Sequence, residues 1–275
     1  MSLNIGILES SRSAAPSATL LLDTYPGAAA AYSLRKLRTA YTGSAIRVRR
    51  SSDNAETDIG FNGSGGLDTT TLLTFCGVNN GNVVTWYDQS GNSRNATKVF
   101  ALSRNIIVNS GVLQTLNTKP AISSPTFILT PFTIIGDLSY FVVQRKITAT
   151  AAGMNIGSSA DLSLLFANWH DGNTYFQRSN GTSGFYIFAL DTTTGNQILN
   201  AFNQSGLMSM YKNNSQYTTA APASFSIANS QFDNIGNASS SVSNGLGTEV
   251  IIYTNSQLSN RTGINTNINT FYSIY

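Results

Sequence analysis

From residue 120 onward the chain repeats one rhythm: a few apolar residues, a short polar stretch, then another apolar run. The runs 126–129, 140–144, 163–167, 174–178, 185–190, 197–203, 208–212, 225–227 and 249–253 are too short and too closely spaced for helices that bury an amphipathic face. Asn213-Asn214-Ser215 between two of them reads as a hairpin turn, because Asn tolerates positive φ. Strands at such intervals, with helices only as trimmings, specify an all-β sandwich or jelly roll. Composition agrees. Hydrophobic residues make up 41% of the 275, enough for a large core in one domain. Charged residues make up only 11%, against a usual value of about 25%, so the surface is carried by Asn, Ser, Thr and Gly.

The first half is more mixed. Residues 1–20 read as an arm or linker, with an apolar Ile5–Leu8 patch and a small polar stretch through Pro16; residues 21–275 form the sandwich. Pro26 and Gly27 precede an alanine-rich stretch, which predicts a helix over 28–38. Ile46 and Val48 alternate with Arg47 and Arg49, the period-2 pattern of a half-buried strand. Further helices are expected at 68–76, capped by Asp68 with Leu72, Leu73 and Phe75 inward, and at 259–272, capped by Ser256 or Ser259. The inward face of the last would be Leu258, Ile264, Ile268 and Phe271 or Tyr272.

Six of the 16 cationic residues lie between Arg35 and Arg50, but no nucleic-acid-binding motif accompanies them; they read as a solvated helix and strand face, and no nucleic-acid partner is expected. Cys76 is the only cysteine, so no intrachain disulfide forms. The start lacks a charged segment followed by an apolar one, so no signal peptide is expected. No run reaches the ~18 apolar residues of a spanning helix, so membrane insertion is not expected either.

Two polar constellations stand out. Trp86-Tyr87-Asp88-Gln89-Ser90-Gly91-Asn92 gathers polar side chains on a turn after an apolar strand. It is either a ligand rim or oxygen-rich cation site, or a turn whose Asp88 and Asn92 bond local backbone; the structural reading is preferred. In the second, Trp169 would stack on a sugar ring while Asn168, Asp171 and Asn173 bond its hydroxyls. The alternative there is a hairpin loop turning at Asp171-Gly172. His170 is the only histidine, and its neighbour Asp171 does not complete a triad with it. Asp161, Asp171, Asp191 and Asp233 lack a metal-binding spacing, so neither metal nor cofactor is expected.

Ala31-Tyr32-Ser33-Leu34-Arg35, then Ile46 to Asp53, Asp68 to Phe75 and the Trp86–Asn92 turn resemble the opening of the arabinofuranosidase B catalytic domain, a concanavalin A-like β-sandwich glycoside hydrolase. Together with Glu249 to Tyr253, Leu258 to Arg261 and Ile268 to Tyr275, the same block also resembles bacteriophage structural proteins that carry this sandwich. The resemblance implies a concanavalin A-like jelly roll with a few short peripheral helices. It also implies where a hydrolase would carry its carboxylates: a nucleophilic Glu near Leu165 to Asp171, where no Glu stands, and an acid in the Asn234-Ile235-Gly236-Asn237 stretch, where Asn stands instead. The expectation is therefore a non-enzymatic virion surface protein, a spike, fibre or capsid decoration. Residues 1–20 would join other virion proteins, the chain would form a homo-oligomer, and the Trp169 loop would contact a host glycan. The alternatives are a free lectin-like domain or a glycoside hydrolase of arabinofuranosidase type.

Overall fold

The computed structural model describes residues 19–98, 105–148, 154, 156–157, 164–168, 173–179, 184–217, 230–236 and 245–275. Two antiparallel layers face each other. The front layer runs Ala28–Ser33, Gly245–Tyr253, Leu138–Lys146, Gly195–Gln204 and Leu207–Lys212. The back layer runs Glu56–Ile59, Ile46–Arg50, Gly81–Trp86, Ala96–Lys98, Phe127–Ile134, Ser230–Ile235, Ile156–Gly157, Leu164–Asn168, Asn173–Ser179 and Gly184–Leu190. Ile122–Ser123 pairs with Gly245–Tyr253 of the front and with Ile106 of the back, joining the layers along one side. The all-β sandwich expected from the apolar rhythm is the observed fold, and Asn213 and Asn214 take positive φ at its last described hairpin.

Alternation along the front strands divides their side chains between two cores. Tyr32, Tyr140, Val142, Leu199, Val250 and Ile252 point between the layers. There Tyr32 meets Trp86 at 5.9 Å and Tyr140 meets Phe176 at 6.1 Å, ring centre to ring centre. Phe141, Val143, Phe202, Ile251 and Tyr253 point the other way, onto two helices. These are α1 (Leu21–Thr24) and α3 (Arg261–Tyr272), which present Leu21, Leu22, Ile264, Ile268 and Tyr272. A layer buried on both faces needs unbroken apolar strands, which is why Val250 to Tyr253 carries no polar residue.

The expected helix at 28–38 is corrected: Ala28–Ser33 is a strand, fully buried along its length. Alanine's helix preference amounts to a few tenths of a kcal/mol per residue. Here it yields to pairing with Gly245–Tyr253 on one edge and to burial of its side chains in two cores, Ala30 and Tyr32 in one and Ala28 and Ala31 in the other. The other two helices stand where expected. In α2 (Thr69–Cys76) Asp68 accepts from the Thr71 N–H as N-cap, and Leu72 and Cys76 are the buried residues. The last helix is entered through a 3-10 turn, Leu258–Asn260, whose first N–H donates to the Ser256 hydroxyl at 3.3 Å; the expected cap by Ser256 or Ser259 is corrected, since Asn260 precedes the helix and caps it with no side-chain bond. The segment 225–227 lies outside the described residues.

The strand part of the basic cluster is the solvated face expected, and its cations are paired there; Arg35 departs from that reading. Arg47 pairs with Asp58, Arg49 with Glu56 and Arg50 with Asp53. Arg35 is buried in an ion pair with Glu249. Among the described residues no helix is long and apolar enough to cross a membrane.

Candidate functional site

The Trp86–Asn92 motif serves the fold. Trp86 is completely buried between Tyr32 and Phe127. The turn that follows lies along the edge of Ala28–Ser33 that faces away from Gly245–Tyr253. Asp88 accepts from the Ala31 N–H at 2.9 Å and from the N–H groups of Ser90 and Arg94. The Gln89 N–H donates to the Ala31 carbonyl at 2.8 Å, and its side-chain amide donates to the carbonyls of Ser33 and Arg35. Asn92 donates to the carbonyls of Ala28 and Ala29. Side chains thus stand in for a neighbouring strand. Tyr87 instead points outward, donating to Asp58 at 2.8 Å. Gly91 sits at φ +98°, and a Cβ there would lie 2.5 Å from an Arg38 guanidinium nitrogen.

Of the second constellation, Trp169, His170 and Asp171 lie outside the described residues. Asn168 ends one strand and pairs with Thr174 of the next. Asn173 is half-buried, with its amide 3.4 Å from the Tyr175 hydroxyl.

The two stretches where a hydrolase would carry its carboxylates come together in the back layer. Gly157 pairs with Leu165 on one side and with Asn234 on the other. Asn234 in turn pairs with Ile128, which is exposed, whereas the adjacent register positions Ile156 and Ile235 belong to the inter-layer core. Leu165, Gly157 and Asn234 are therefore register neighbours on three successive strands, the outer two strands standing about 9.5 Å apart, and Gly157 and Asn234 are both buried. Asn237, which stands where the acid was expected after Gly236, lies outside the described residues. Asp233, however, lies beside Asn234, opposite a bulge in which Leu129, Thr130 and Pro131 take the space of one residue. Pro131 has no N–H for the ladder, and a bulge is where a strand accommodates it. Bulges also re-aim the side chains opposite them. Asp233 is half-buried, and its Oδ1 accepts from the Asn234 amide at 2.8 Å.

A polar cluster not anticipated from the sequence closes the inter-layer core at the end where Leu138–Lys146 finishes and Gly195–Gln204 begins. Gln144, Lys146, Gln197 and Lys212 occupy inward positions at one end of their strands, in the parity of Tyr140, Val142, Leu199 and Met210. They surround Asp191, which accepts from Lys212 at 2.8 Å, from Tyr217 at 2.6 Å and from the Thr193 hydroxyl at 2.6 Å. Lys146, buried, donates to the Asp191 carbonyl. The cluster connects with the Asn234 turn. The Gln144 side chain accepts from the Met154 N–H at 2.6 Å, and Gly247 lies between Met154 and Pro125. Pro125 in turn packs on Gly236, at φ +76°, where a Cβ would lie 2.0 Å from the proline carbonyl oxygen. A sequence signal existed: Gln144 and Lys146 continue the inward alternation of Tyr140 and Val142 with polar groups.

Burial alone would push the Asp191 carboxyl up, but the donors from Lys212, Thr193 and Tyr217 outweigh it and hold the group below the usual carboxylate range. With the folded value below the unfolded one, Asp191 stabilises the fold fully above the ordinary carboxylate range. That contribution is lost as pH falls through the folded value. In urea unfolding, the advantage of the native chain over Lys212→Met should therefore shrink between about pH 5 and pH 2. An advantage constant over that range would show that the pair is not coupled to folding.

With this geometry in place, likeness to known proteins can be stated. Residues 22–116 match the family model described as alpha-L-arabinofuranosidase B, catalytic. A GH54 α-L-arabinofuranosidase soaked with a cyclic sulfate inhibitor has a similar structure, with a TM-score of 0.63 and 16% identity over 93% of this chain and 65% of that one. An arabinofuranosidase complexed with arabinofuranosyl-α-1,2-xylobiose gives a TM-score of 0.62 and 16% identity over 93% of this chain and 64% of that one. This chain thus spans a little under two thirds of those enzymes, and at such identity the likeness establishes a shared sandwich fold. No curated protein matches by sequence.

The expectation of a non-enzyme is corrected by these findings: the sequence match is to a catalytic domain, and the similar structures are glycosidases with saccharide or inhibitor bound. That expectation excluded activity because the 165–171 stretch has no Glu and Asn237 stands where the acid should be, and it weighed Asp233 only as a metal ligand. The virion setting, attachment through residues 1–20 and the host glycan rest on the sequence resemblance alone, and residues 1–18 lie outside the described residues.

Proposed function

We propose that the chain is a carbohydrate-active sandwich that hydrolyses arabinofuranosyl linkages at Asp233. The sequence match to a catalytic domain carries this reading. Hydrolysis of a glycoside needs one carboxylic acid to protonate the leaving oxygen and a second carboxylate as nucleophile or base. Asp233, half-buried beside the Gly157–Asn234 pair, is suited to the first role, and the Asn234 amide holds one of its oxygens in place. The second carboxylate would be Asp161 or Asp171, which flank Leu164–Asn168 in the sequence.

The test is release of nitrophenol from 4-nitrophenyl α-L-arabinofuranoside, a compound with which a further similar structure, a mutant GH54 arabinofuranosidase, was soaked. The purified chain should turn it over, and Asp233→Asn should lower kcat by roughly 10²–10⁴-fold with an unchanged melting temperature. Full activity in that variant would remove Asp233 from the reaction. Absence of turnover by the unaltered chain would overturn the hydrolase reading.

A further inference from the structure

At the end of the sandwich opposite the Asp191 cluster, the layers part around a cavity of about 580 Å³. The front layer supplies Ala28, Ala29 and Thr254, and the back layer supplies Phe132 and Thr133. Ser90, Asn92 and Arg94 of the edge turn form the wall. A smaller cavity of about 190 Å³ adjoins it, shares Gly27, Ala28 and Ser90, and is walled by Arg38.

Both arginines are held in place without being neutralised. The Arg94 guanidinium lies 4.2 Å from the centre of the Phe132 ring, and one of its nitrogens donates to the Ala29 carbonyl at 2.7 Å. Arg38 donates to the Ser90 carbonyl at 2.6 Å, an approach that Gly91 permits. Among the described residues neither makes an ion pair. The nearby Asp88 is buried and taken up by the N–H groups of Ala31, Ser90 and Arg94. Guanidinium is planar, permanently charged and suited to grip a carboxylate through two parallel hydrogen bonds. Stacking on an aromatic ring fixes its plane in advance. Hydroxyls from Ser90, Thr133 and Thr254 and the Asn92 amide surround it, a lining that suits sugar hydroxyls better than a bare inorganic anion.

We infer that this mouth, anchored by Arg94 with Arg38 beside it, is a binding site for a uronate, a saccharide residue carrying a carboxylate. The site is distinct from Asp233 and its surroundings, and occupying it requires no bond cleavage, so it stands or falls independently of the hydrolase reading.

Titration calorimetry would compare xylotriose bearing a glucuronate with plain xylotriose and with inorganic phosphate. The acidic saccharide should bind at least tenfold more tightly than either, and less tightly as salt is raised. Arg94→Ala should lose at least tenfold. Arg94→Lys should not restore it, since the charge returns without the fork or the stack. Because Arg94 also supports Ala29, Arg38→Ala is the companion variant: it leaves the stack on Phe132 intact and should weaken binding severalfold, with circular dichroism confirming the fold. Equal affinity for both saccharides, phosphate binding as tightly as the uronate, or unaltered affinity in both alanine variants would each overturn the assignment.

Discussion

Replacing Arg35 with methionine should cost the fold about 3–5 kcal/mol in urea unfolding, because it strands a carboxylate that has no exposure to water. Glu249 accepts from Arg35 at 2.8 and 3.0 Å, one bond to each oxygen, from the Ser33 hydroxyl at 2.7 Å and from the Tyr272 hydroxyl at 3.1 Å. Arg35 also donates to Asn267 at 2.9 Å and lies against the rings of Phe271 and Tyr272. The network ties the edge strand Ala28–Ser33 and the strand Gly245–Tyr253 to α3. With the cation gone, the two hydroxyls alone must offset the desolvation of the charge. The double change Arg35→Met with Glu249→Leu should recover most of the loss, since a well-packed apolar pair avoids that penalty. A single-variant cost below about 1 kcal/mol would mean that water reaches the carboxylate. The same geometry gives Glu249 a structural part, its oxygens being taken up by the fold.

Asp88→Ala should be the next most damaging change, at roughly 2–4 kcal/mol, for a different reason. The Ala31 N–H is buried and directed at the Asp88 carboxylate, so its partner cannot be replaced by water without opening the edge. Ser90 and Arg94 lose backbone partners in the same step, and the Ser90 hydroxyl loses its bond to the other carboxylate oxygen. Asp88→Asn should cost less than half as much, since one acceptor oxygen is kept. Hydrogen exchange at Ala31 is the specific readout: its protection should fall in the alanine variant while that of Phe141, between two other strands, tracks only global stability. Unchanged protection at Ala31 would show that another group caps it.

How much of this was legible in the sequence depended on how local the deciding interaction is. Ile46 and Val48 against Arg47 and Arg49 read as a half-buried strand because one face meets the core and the other meets Asp58 and Glu56 in the paired strand. Ala28–Ser33 did not read as a strand, because its partners lie more than 50 residues away and both its faces are buried, which removes the alternation. The Asp88–Asn92 turn was recognisable as backbone-bonding. Its target was not, since the bonds go to that distant strand and not to the turn alone. Asp233 stayed hidden for the same kind of reason: its place opposite a bulge is a property of register between two strands, and a single strand's sequence does not contain register. Gln144 and Lys146 were visible as polar residues in apolar parity, but the Asp191 they gather around arrives from another connection.

The manner in which the Ala28–Ser33 edge is satisfied bears on how copies of this chain meet. An unpaired strand at the margin of a sheet is a template on which another chain can continue the ladder, and proteins commonly guard such margins with charge or proline. Here the outward carbonyls of Ala29, Ala31 and Ser33 and the outward N–H of Ala31 are already engaged by Asp88, Gln89, Asn92 and Arg94. An added strand would have to displace every one of these groups before making its first bond. Extension of the front layer by a second copy is therefore opposed at this margin.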